Sequence, residues 1–295
     1  MFTHANKIES SQCWQNHGYA SIFSRNNFER ILKSQDLTLC KNVVANYASD
    51  CINDMYDYLD LIHYAYEYLS SNYRNEYIIK NELLNKLIMH YGTEDVVAFN
   101  EFSVGNSIAD LVLFNGKSRA YEIKTELDSP KRIHAQIEDY KRIFQECYIV
   151  VPKSQHLQYL HLYKDSTIGI IVFYKRGPHL ILKEIQKAKC NTDIDSHTLI
   201  RSLRTEEYKA IVKDYYKVLP QMTAFTAFDV CEKALSNIPQ KELHKLFIRT
   251  IKQRRTSTPY LSSFEYPIRQ MCLNLHWTQK EYNKVMQILL TPINN

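Results

Sequence analysis

Three residues in the middle of the chain have the types and spacing to do chemistry: Asp110, Glu122 and Lys124. Glu122 and Lys124 stand two apart in SRAYEIKTE (118–126), a stretch that reads as a strand. Both side chains therefore leave one face while Ile123 points to the other. Their neighbours Ala109, Leu111, Leu113, Tyr121 and Ile123 are apolar, which places the charges at the edge of a core. A charge there is costly unless it is paired or holds a metal.

Asp110 lies in IADLVLF (108–114), a second strand, and Asn115-Gly116 turns the two into a hairpin. A two-residue Asn-Gly turn would pair 110 with 121 and put Asp110 on the wrong face. A three-residue Asn115-Gly116-Lys117 loop pairs 110 with 122 and brings the carboxylates to one face, with Cβ atoms about 4.5–5.5 Å apart. This second register is the one expected. Two carboxylates and the Ile123 backbone carbonyl are hard oxygen donors that suit Mg2+ or Mn2+. Such an ion lowers the pKa of a bound water and stabilises charge building on a phosphate. Lys124 would orient that water and hold phosphate oxygens.

The elements needed to position these residues are legible on either side. A helix over 74–90 precedes a strand, VVAFNEFSV (96–104), and the hairpin follows. Next comes a helix over 130–145, opened by Asp128-Ser129-Pro130 with Ser129 as N-cap. CYIVV (147–151), a helix over 153–163, IGIIVFY (168–174) and HLILKEI (179–185) complete a mixed α/β sheet covered by helices. Residues 1–72 read as a helical N-terminal region. In it, the stretch 53–70 sets Met55, Tyr58, Leu59, Ile62, Ala65, Tyr66 and Leu69 at helical spacing, a packing stripe. The sheet region spans 73–187. Residues 195–295 form a helical C-terminal region, with helices over 199–218, 228–235, 241–255, 267–275 and 278–290.

Asp110, the hairpin and Glu122-Ile123-Lys124 resemble the PD-(D/E)xK nuclease superfamily, the restriction-endonuclease-like fold, over about residues 73–175. Ala109 stands where the proline of that name would be. Gln136 and Tyr140, in QIEDY, are similar to the QxxxY motif of RecB-like members. Four apart on one helical face, they could touch substrate or brace Lys124. The resemblance implies a Mg2+- or Mn2+-dependent nuclease acting on DNA, with the ion held by Asp110, Glu122 and the Ile123 carbonyl and with Lys124 assisting. It also implies a further acid from the preceding helix, Glu76 or Glu82. Leu83 and Leu87 share the azimuth of Glu76, whereas Glu82 is turned about 100–160° from Leu83, Leu84 and Leu87. Glu76 is therefore the expected residue. Glu101 on the preceding strand is another acid within reach, Arg74 could meet phosphate, and Glu126 reads as a surface charge. The alternative is a non-catalytic nucleic-acid-binding or regulatory module of the same fold, in a mobile-element or phage-defence system.

A second feature points toward nucleic acid. The chain of 295 residues has 37 Lys and Arg against 32 Asp and Glu, a net charge of +5. The stretch 241–255 alone carries six bases against Glu242. Lys241, Lys245, Arg249 and Lys252 recur on one helical face opposite Leu243, Phe247 and Ile251, as phosphate-backbone contact would require. A solvated face of an amphipathic helix has the same pattern.

Other classes are disfavoured. Seven scattered cysteines show no zinc spacing and no disulfide framework, and read as reduced thiols of a cytoplasmic protein. The apolar run 168–174 is far short of the about 20 residues of a membrane span, and MFTHANKIESSQCW lacks the pattern of a secretory signal. There is no Walker A, GxGxxG or HExxH motif, and the 11 histidines form no ligand pair. The family resemblance suggests a bacterial or phage setting.

Overall fold

In the computed structural model of the chain the described residues are 2–48, 55–126, 128, 130–177 and 179–293, with the side chains of 2–11 and 130 outside the description. Five helices come first: α1 (Phe2–Ile22), α2 (Arg25–Ser34), α3 (Thr38–Tyr47), α4 (Tyr58–Asn72) and α5 (Glu76–Tyr91). Strands β1 (Val97–Val104), β2 (Ser107–Phe114) and β3 (Ser118–Ile123) follow, then α6 (Ile133–Lys141), β4 (Glu146–Pro152), α7 (His156–Tyr163), β5 (Gly169–Arg176) and β6 (His179–Gln186). Helices α8 (Ser196–Arg201), α9 (Thr205–Tyr216), α10 (Ala227–Ser236), α11 (Gln240–Ile251), α12 (Arg269–Asn274) and α13 (Gln279–Leu289) complete the chain.

Interleaved segments make up two compact units. The first comprises residues up to His90, Tyr174–Ile181 and those from Tyr260 onward; the second comprises Tyr91–Phe173 and Leu182–Pro259. The helix expected over 74–90 as part of the sheet region thus belongs, up to His90, with the N-terminal helices.

The first unit is a helical assembly cored by aromatic rings. α4 begins where the Asp57 side chain accepts the backbone N–H groups of Leu59 and Asp60, and the Asp60 carboxylate returns to the Asp57 N–H in a capping box. This cap, not the stretch from Asn53, sets the start; Asn53 itself lies outside the described residues. The tyrosine stripe packs as expected, with Tyr58 and Tyr66 buried and the rings of Tyr64 and Tyr68 centred 5.7 and 4.8 Å from that of Tyr19. Phe28 meets Trp277 edge to face at 5.9 Å.

The second unit holds most of a six-stranded mixed sheet in the order β1-β2-β3-β4-β5-β6. β1, β2 and β3 run antiparallel, and β4 and β5 run parallel to β3. The β2–β3 ladder pairs Leu111 with Tyr121 and Phe114 with Ser118. Residues 115–117 form the turn, with Gly116 at φ +90° and the Asn115 N–H bonded to the Lys117 carbonyl at 3.1 Å. β3 is buried along its whole length, so both faces are covered, as a parallel neighbour requires. On one face Phe114, Phe144 and Phe247 lie 5.5 to 6.4 Å apart, centroid to centroid, bringing α11 down onto the sheet.

Several helices are shorter than their periodicity suggests; the one expected over 241–255 is α11, which ends at Ile251, and the one expected over 267–275 is α12, within Arg269–Asn274. Residues 130–132 form a 3-10 turn before α6, and α6 stops at Lys141 because Ile143 and Phe144, both fully buried, must turn into the core before β4. The Ser129 cap lies outside the described residues. The helix expected over 199–218 is broken into α8 and α9, where the Arg204 N–H is taken by the Glu207 carboxylate at 2.7 Å and Arg254 clamps both the Ser202 carbonyl and Glu207. Four cysteines (40, 147, 231, 272) are buried thiols, but Cys13 and Cys190 are exposed, and Cys51 lies outside the described residues. No helix among the described residues is long and apolar enough to cross a membrane.

Candidate functional site

Continued one step past Leu111 and Tyr121, the register of β2 and β3 puts residue 110 opposite residue 122, as the three-residue loop demands. Asp110 is half-buried at the sheet margin. Its Oδ2 accepts the backbone N–H of Ile123 at 2.7 Å. In an extended strand the N–H and C=O of one residue face the same neighbour, so the Ile123 carbonyl also faces Asp110. One residue on, the Lys124 N–H turns to the other side and donates to the Val150 carbonyl at 2.9 Å. β3 thus ends between two hydrogen-bonded neighbours, which fixes the direction in which Glu122 and Lys124 project.

Glu122 is 2% exposed and Lys124 8%. The Lys124 ammonium donates to Glu122 Oε1 at 2.7 Å and to Gln136 Oε1 at 3.0 Å. Gln136 Nε2 donates to the same Glu122 oxygen at 2.6 Å. Tyr140 Oη lies 2.6 Å from Glu122 Oε2 and 2.7 Å from the Ile108 carbonyl oxygen. The helical pair four apart therefore braces the glutamate as well as the lysine. Gln136 closes a triangle with Lys124 and Glu122, and Tyr140 fastens α6 to β2 and β3 at once.

This environment shifts the acids. Burial raises the Glu122 pKa above the usual carboxylate value, the nearby Asp110 charge raises it further, and Lys124 pulls in the opposite direction. Burial also pushes the Tyr140 phenol up, with the Glu122 charge adding to it. That phenol carries a single proton for two acceptors. When Glu122 is protonated its own O–H can donate to Tyr140, whose proton then serves Ile108, so every contact is satisfied. When Glu122 is ionised the phenol must divide one proton between two oxygens.

Asp110, Glu122 and the Ile123 carbonyl are the groups that could hold a divalent cation here. Each carboxylate oxygen has two acceptor positions; Lys124 and Gln136 occupy both on Glu122 Oε1, but Tyr140 takes one on Oε2. With Asp110 and the Ile123 carbonyl, the donors are oxygens only, two of them carboxylate, as Mg2+ prefers when it keeps several waters. Among the described residues no three His, Cys, Asp or Glu side chains are grouped to hold an ion by themselves, so the carbonyl and water would have to complete the shell.

Other expected site residues stand elsewhere. Glu76 is the first residue of α5, with its side chain 57% exposed and paired to Lys80 at 2.5 Å. It is not on the core stripe. The stripe runs through Ile78, Ile79, Leu83, Leu84, Leu87 and Ile88, and a residue at the helix start has no preceding turn to bury it. Glu76 belongs to the first unit and the carboxylate pair to the second. Glu82, also in the first unit, accepts hydrogen bonds from Tyr66 and Tyr266, both at 2.7 Å. Glu101 is exposed on β1 with φ +53°. On α11, Lys245 pairs with Glu242 at 2.8 Å, Arg249 with Asp214 and Lys252 with Asp95. Lys241 is exposed and makes no ion pair among the described residues.

Two residues carried no reading in the sequence, one beside this site and one away from it. Asp139, between Gln136 and Tyr140, accepts the Asn106 N–H at 3.2 Å and the Ser107 hydroxyl at 2.7 Å, which latches α6 to the β1–β2 turn. His244, one of the unassigned histidines, is buried on α11. Its spacing of three from Lys241 and four from Ile248 was the available signal.

Comparison with known proteins adds a family. Protein cII of Enterobacteria phage P4 is 27% identical over 189 residues, covering 62% of this chain and 70% of its own. A solved protein of unknown function from Silicibacter pomeroyi covers 37% of this chain and 68% of its own, at 13% identity and a TM-score of 0.28, a likeness too slight to carry an argument. The family described as Bacteriophage P4 protein cII matches residues 69–275, well over half of the sequence and all of the sheet, and the chain belongs to that family.

Proposed function

We propose that the chain is a metal-dependent nuclease of the PD-(D/E)xK type that hydrolyses DNA phosphodiester bonds. The observation that carries this reading is the opposition of Asp110 and Glu122 across the β2–β3 hairpin, with the Lys124 ammonium 2.7 Å from the Glu122 carboxylate. The surrounding order of elements supports it: three antiparallel strands, a helix bearing Gln136 and Tyr140, and a fourth strand parallel to the third. That order is the one a restriction-endonuclease-like core would need.

Asp110, Glu122 and the Ile123 carbonyl would hold Mg2+ or Mn2+. Such an ion would supply a water of lowered pKa and charge stabilisation at the phosphate. Lys124, steadied by Glu122 and Gln136, has one N–H left to present to a non-bridging oxygen or to the attacking water. Water oxygen bonds to phosphorus, the bond to the leaving ester oxygen breaks, and that oxygen takes up a proton. Tyr140 and Gln136 hold Glu122 in place and do not touch substrate. Asp110→Ala and Lys124→Ala should each abolish Mg2+-dependent cleavage of plasmid or oligonucleotide DNA; undiminished cleavage in either rejects the assignment.

A second reading rests on the internal saturation of Glu122, whose carboxylate already takes three side-chain donors. A buried network of that kind can also serve only to hold α6 on the sheet. The chain would then be a nucleic-acid-binding or regulatory module of the same fold, in the mobile-element setting that the phage relative suggests. A calorimetric Mn2+ titration separates the two: no binding heat at neutral pH, together with DNA binding that survives Asp110→Ala, favours the module.

A further inference from the structure

Two hollows in the second unit meet along one face of α11. One, of about 440 Å3, is lined by Gln145, Gln240, Lys241, His244, Lys245 and Ile248. The other, of about 360 Å3, extends past Arg249 to Lys252, and the two share Gly116, Lys245 and Ile248. At Gly116 an added Cβ would meet nothing within 4 Å, so the turn leaves the groove open.

The first hollow has an unusual lining. His244 is only 3% exposed, and although its ring approaches the backbone carbonyls of Thr192 and Asp193, neither ring nitrogen completes a hydrogen bond. Burial holds its pKa below the usual imidazole value, so at neutral pH the ring is uncharged, with one donor and one acceptor. A buried polar group left in this state is penalised, a cost that a ligand could remove.

The glutamines are oriented by the backbone. Gln145 Oε1 accepts the Ser118 N–H at 3.2 Å, and Gln240 Oε1 accepts the Ile194 N–H at 2.6 Å. Only an oxygen can accept there, so the amide nitrogens face outward as donors; Gln145 Nε2 gives one N–H to Cys190 Sγ at 3.9 Å and keeps the other. With the ammonium groups of Lys241 and Lys245, the polar lining is dominated by N–H donors. A ligand matching it has acceptor oxygens and negative charge. Two acids lie close by, Asp193 near the ring and Glu242 on Lys245. The Lys245–Glu242 pair is largely exposed and is therefore weak enough to exchange partners.

We infer that this hollow binds a phosphate group, with Lys241 and Lys245 opposing its charge and His244, Gln145 and Gln240 donating to its oxygens. The phosphate belongs either to a nucleic-acid strand lying along α11 or to a free phosphate compound. In its nucleic-acid form the inference rests on the reading of the α11 face as a DNA contact. From Lys241 to Lys252 is about 16 Å of helix at 1.5 Å per residue, the axial run of about five phosphates of one duplex strand at 3.4 Å each.

The test is an NMR titration of the full chain, with histidine ring carbons labelled and the His244 signal assigned through His244→Gln. Inorganic phosphate is added first, then oligonucleotides with and without a 5′-phosphate. A saturable shift of the His244 signal is expected, weakened at least about tenfold in the surface double variant Lys241→Ala/Lys245→Ala, since a charge-assisted bond lost is worth that much. Saturation by both oligonucleotides assigns the site to a strand; saturation by inorganic phosphate alone assigns it to a free compound. No shift with any probe, or a shift that the double variant leaves intact, overturns the inference. Glu122→Gln should leave the shift unchanged, so loss of cleavage and loss of phosphate binding are read separately.

Discussion

Asp110 on β2 and Ile123 on β3 are joined side chain to backbone, with Asp110 Oδ2 accepting the Ile123 N–H at 2.7 Å. The bond comes one residue beyond the directly opposed pair 110 and 122, and leans the aspartate toward the strand end where the Lys124 side chain emerges. With the Ile123 N–H turned to that side, the carbonyl of the same residue faces β2 as well. Any ion held by this hairpin would be gripped by one residue's backbone and its two acidic neighbours.

The raised Glu122 pKa would give the proposed metal site a pH signature. The ion needs the ionised carboxylate, and the folded pKa lies above the ordinary value of 4.5. Mn2+ affinity should therefore be flat at high pH and fall about tenfold per unit once the pH drops below the Glu122 pKa. In the metal-free chain the sign is the reverse for stability. The folded state holds a proton that the unfolded state has released, so stability declines as pH rises from 4.5 through the folded value. Glu122→Gln should remove both dependences. Calorimetry in buffers of differing ionisation heat, with urea midpoints across the same range, checks them; metal affinity that stays level down to pH 4.5 contradicts the shift.

Tyr140→Phe removes a donor that reaches both β2 and β3 from α6. The Ile108 carbonyl and Glu122 Oε2 lose their phenol contact in a fully buried position. The expected loss is about 1–3 kcal/mol, read as a lower urea midpoint at unchanged slope. A variant as stable as the parent would mean that the phenol proton serves neither oxygen.

Much of this site could be read before the fold. The hairpin register follows from Asn115-Gly116-Lys117 and the need to keep Asp110 and Glu122 on one face, and Gln136 and Tyr140 follow from a spacing of four. What could not be read is what arrives from distant sequence. Glu76 shares an azimuth with Leu83 and Leu87, but periodicity alone cannot say where α5 begins, and a residue in its first turn stays in solvent. The basic face of 241–255 looked uncompensated because its acids, Asp95, Asp214 and Glu207, lie outside that stretch. The burial of His244 depends likewise on the segment around Thr192, which no local pattern connects to α11.

That compensation makes a prediction about DNA binding. Arg249 and Lys252 are held by Asp214 and Asp95, so their charge is partly spent within the protein. Asp214→Asn and Asp95→Asn should each tighten binding to duplex DNA and steepen its salt dependence by up to about one charge. Lys241→Ala, at a position with no such partner among the described residues, should weaken binding and flatten the slope by about one. Fluorescence anisotropy over a salt series measures both; unchanged slopes in all three variants would remove α11 from the DNA contact.

The β1–β2 turn controls how α6 meets Glu122, and Gly105 is where this can be tested. Gly105 has φ +59°, a conformation that costs other residues about 1 kcal/mol or more. A Cβ there would also stand 2.9 Å from Asp139 Oδ1. Asp139 is the carboxylate that holds the Asn106 N–H and the Ser107 hydroxyl, so it cannot withdraw without breaking the latch. Gly105→Ala should therefore destabilise the chain by about 1–3 kcal/mol. Gly105→Ala combined with Asp139→Ala should cost less than the sum of the two single changes, because the clash and the latch share one side chain. Strict additivity in urea denaturation would show that the turn tolerates the methyl group without moving Asp139. If the latch does set the helix, Gly105→Ala should also perturb the Tyr140 ring resonances, although residue 105 does not touch that side chain.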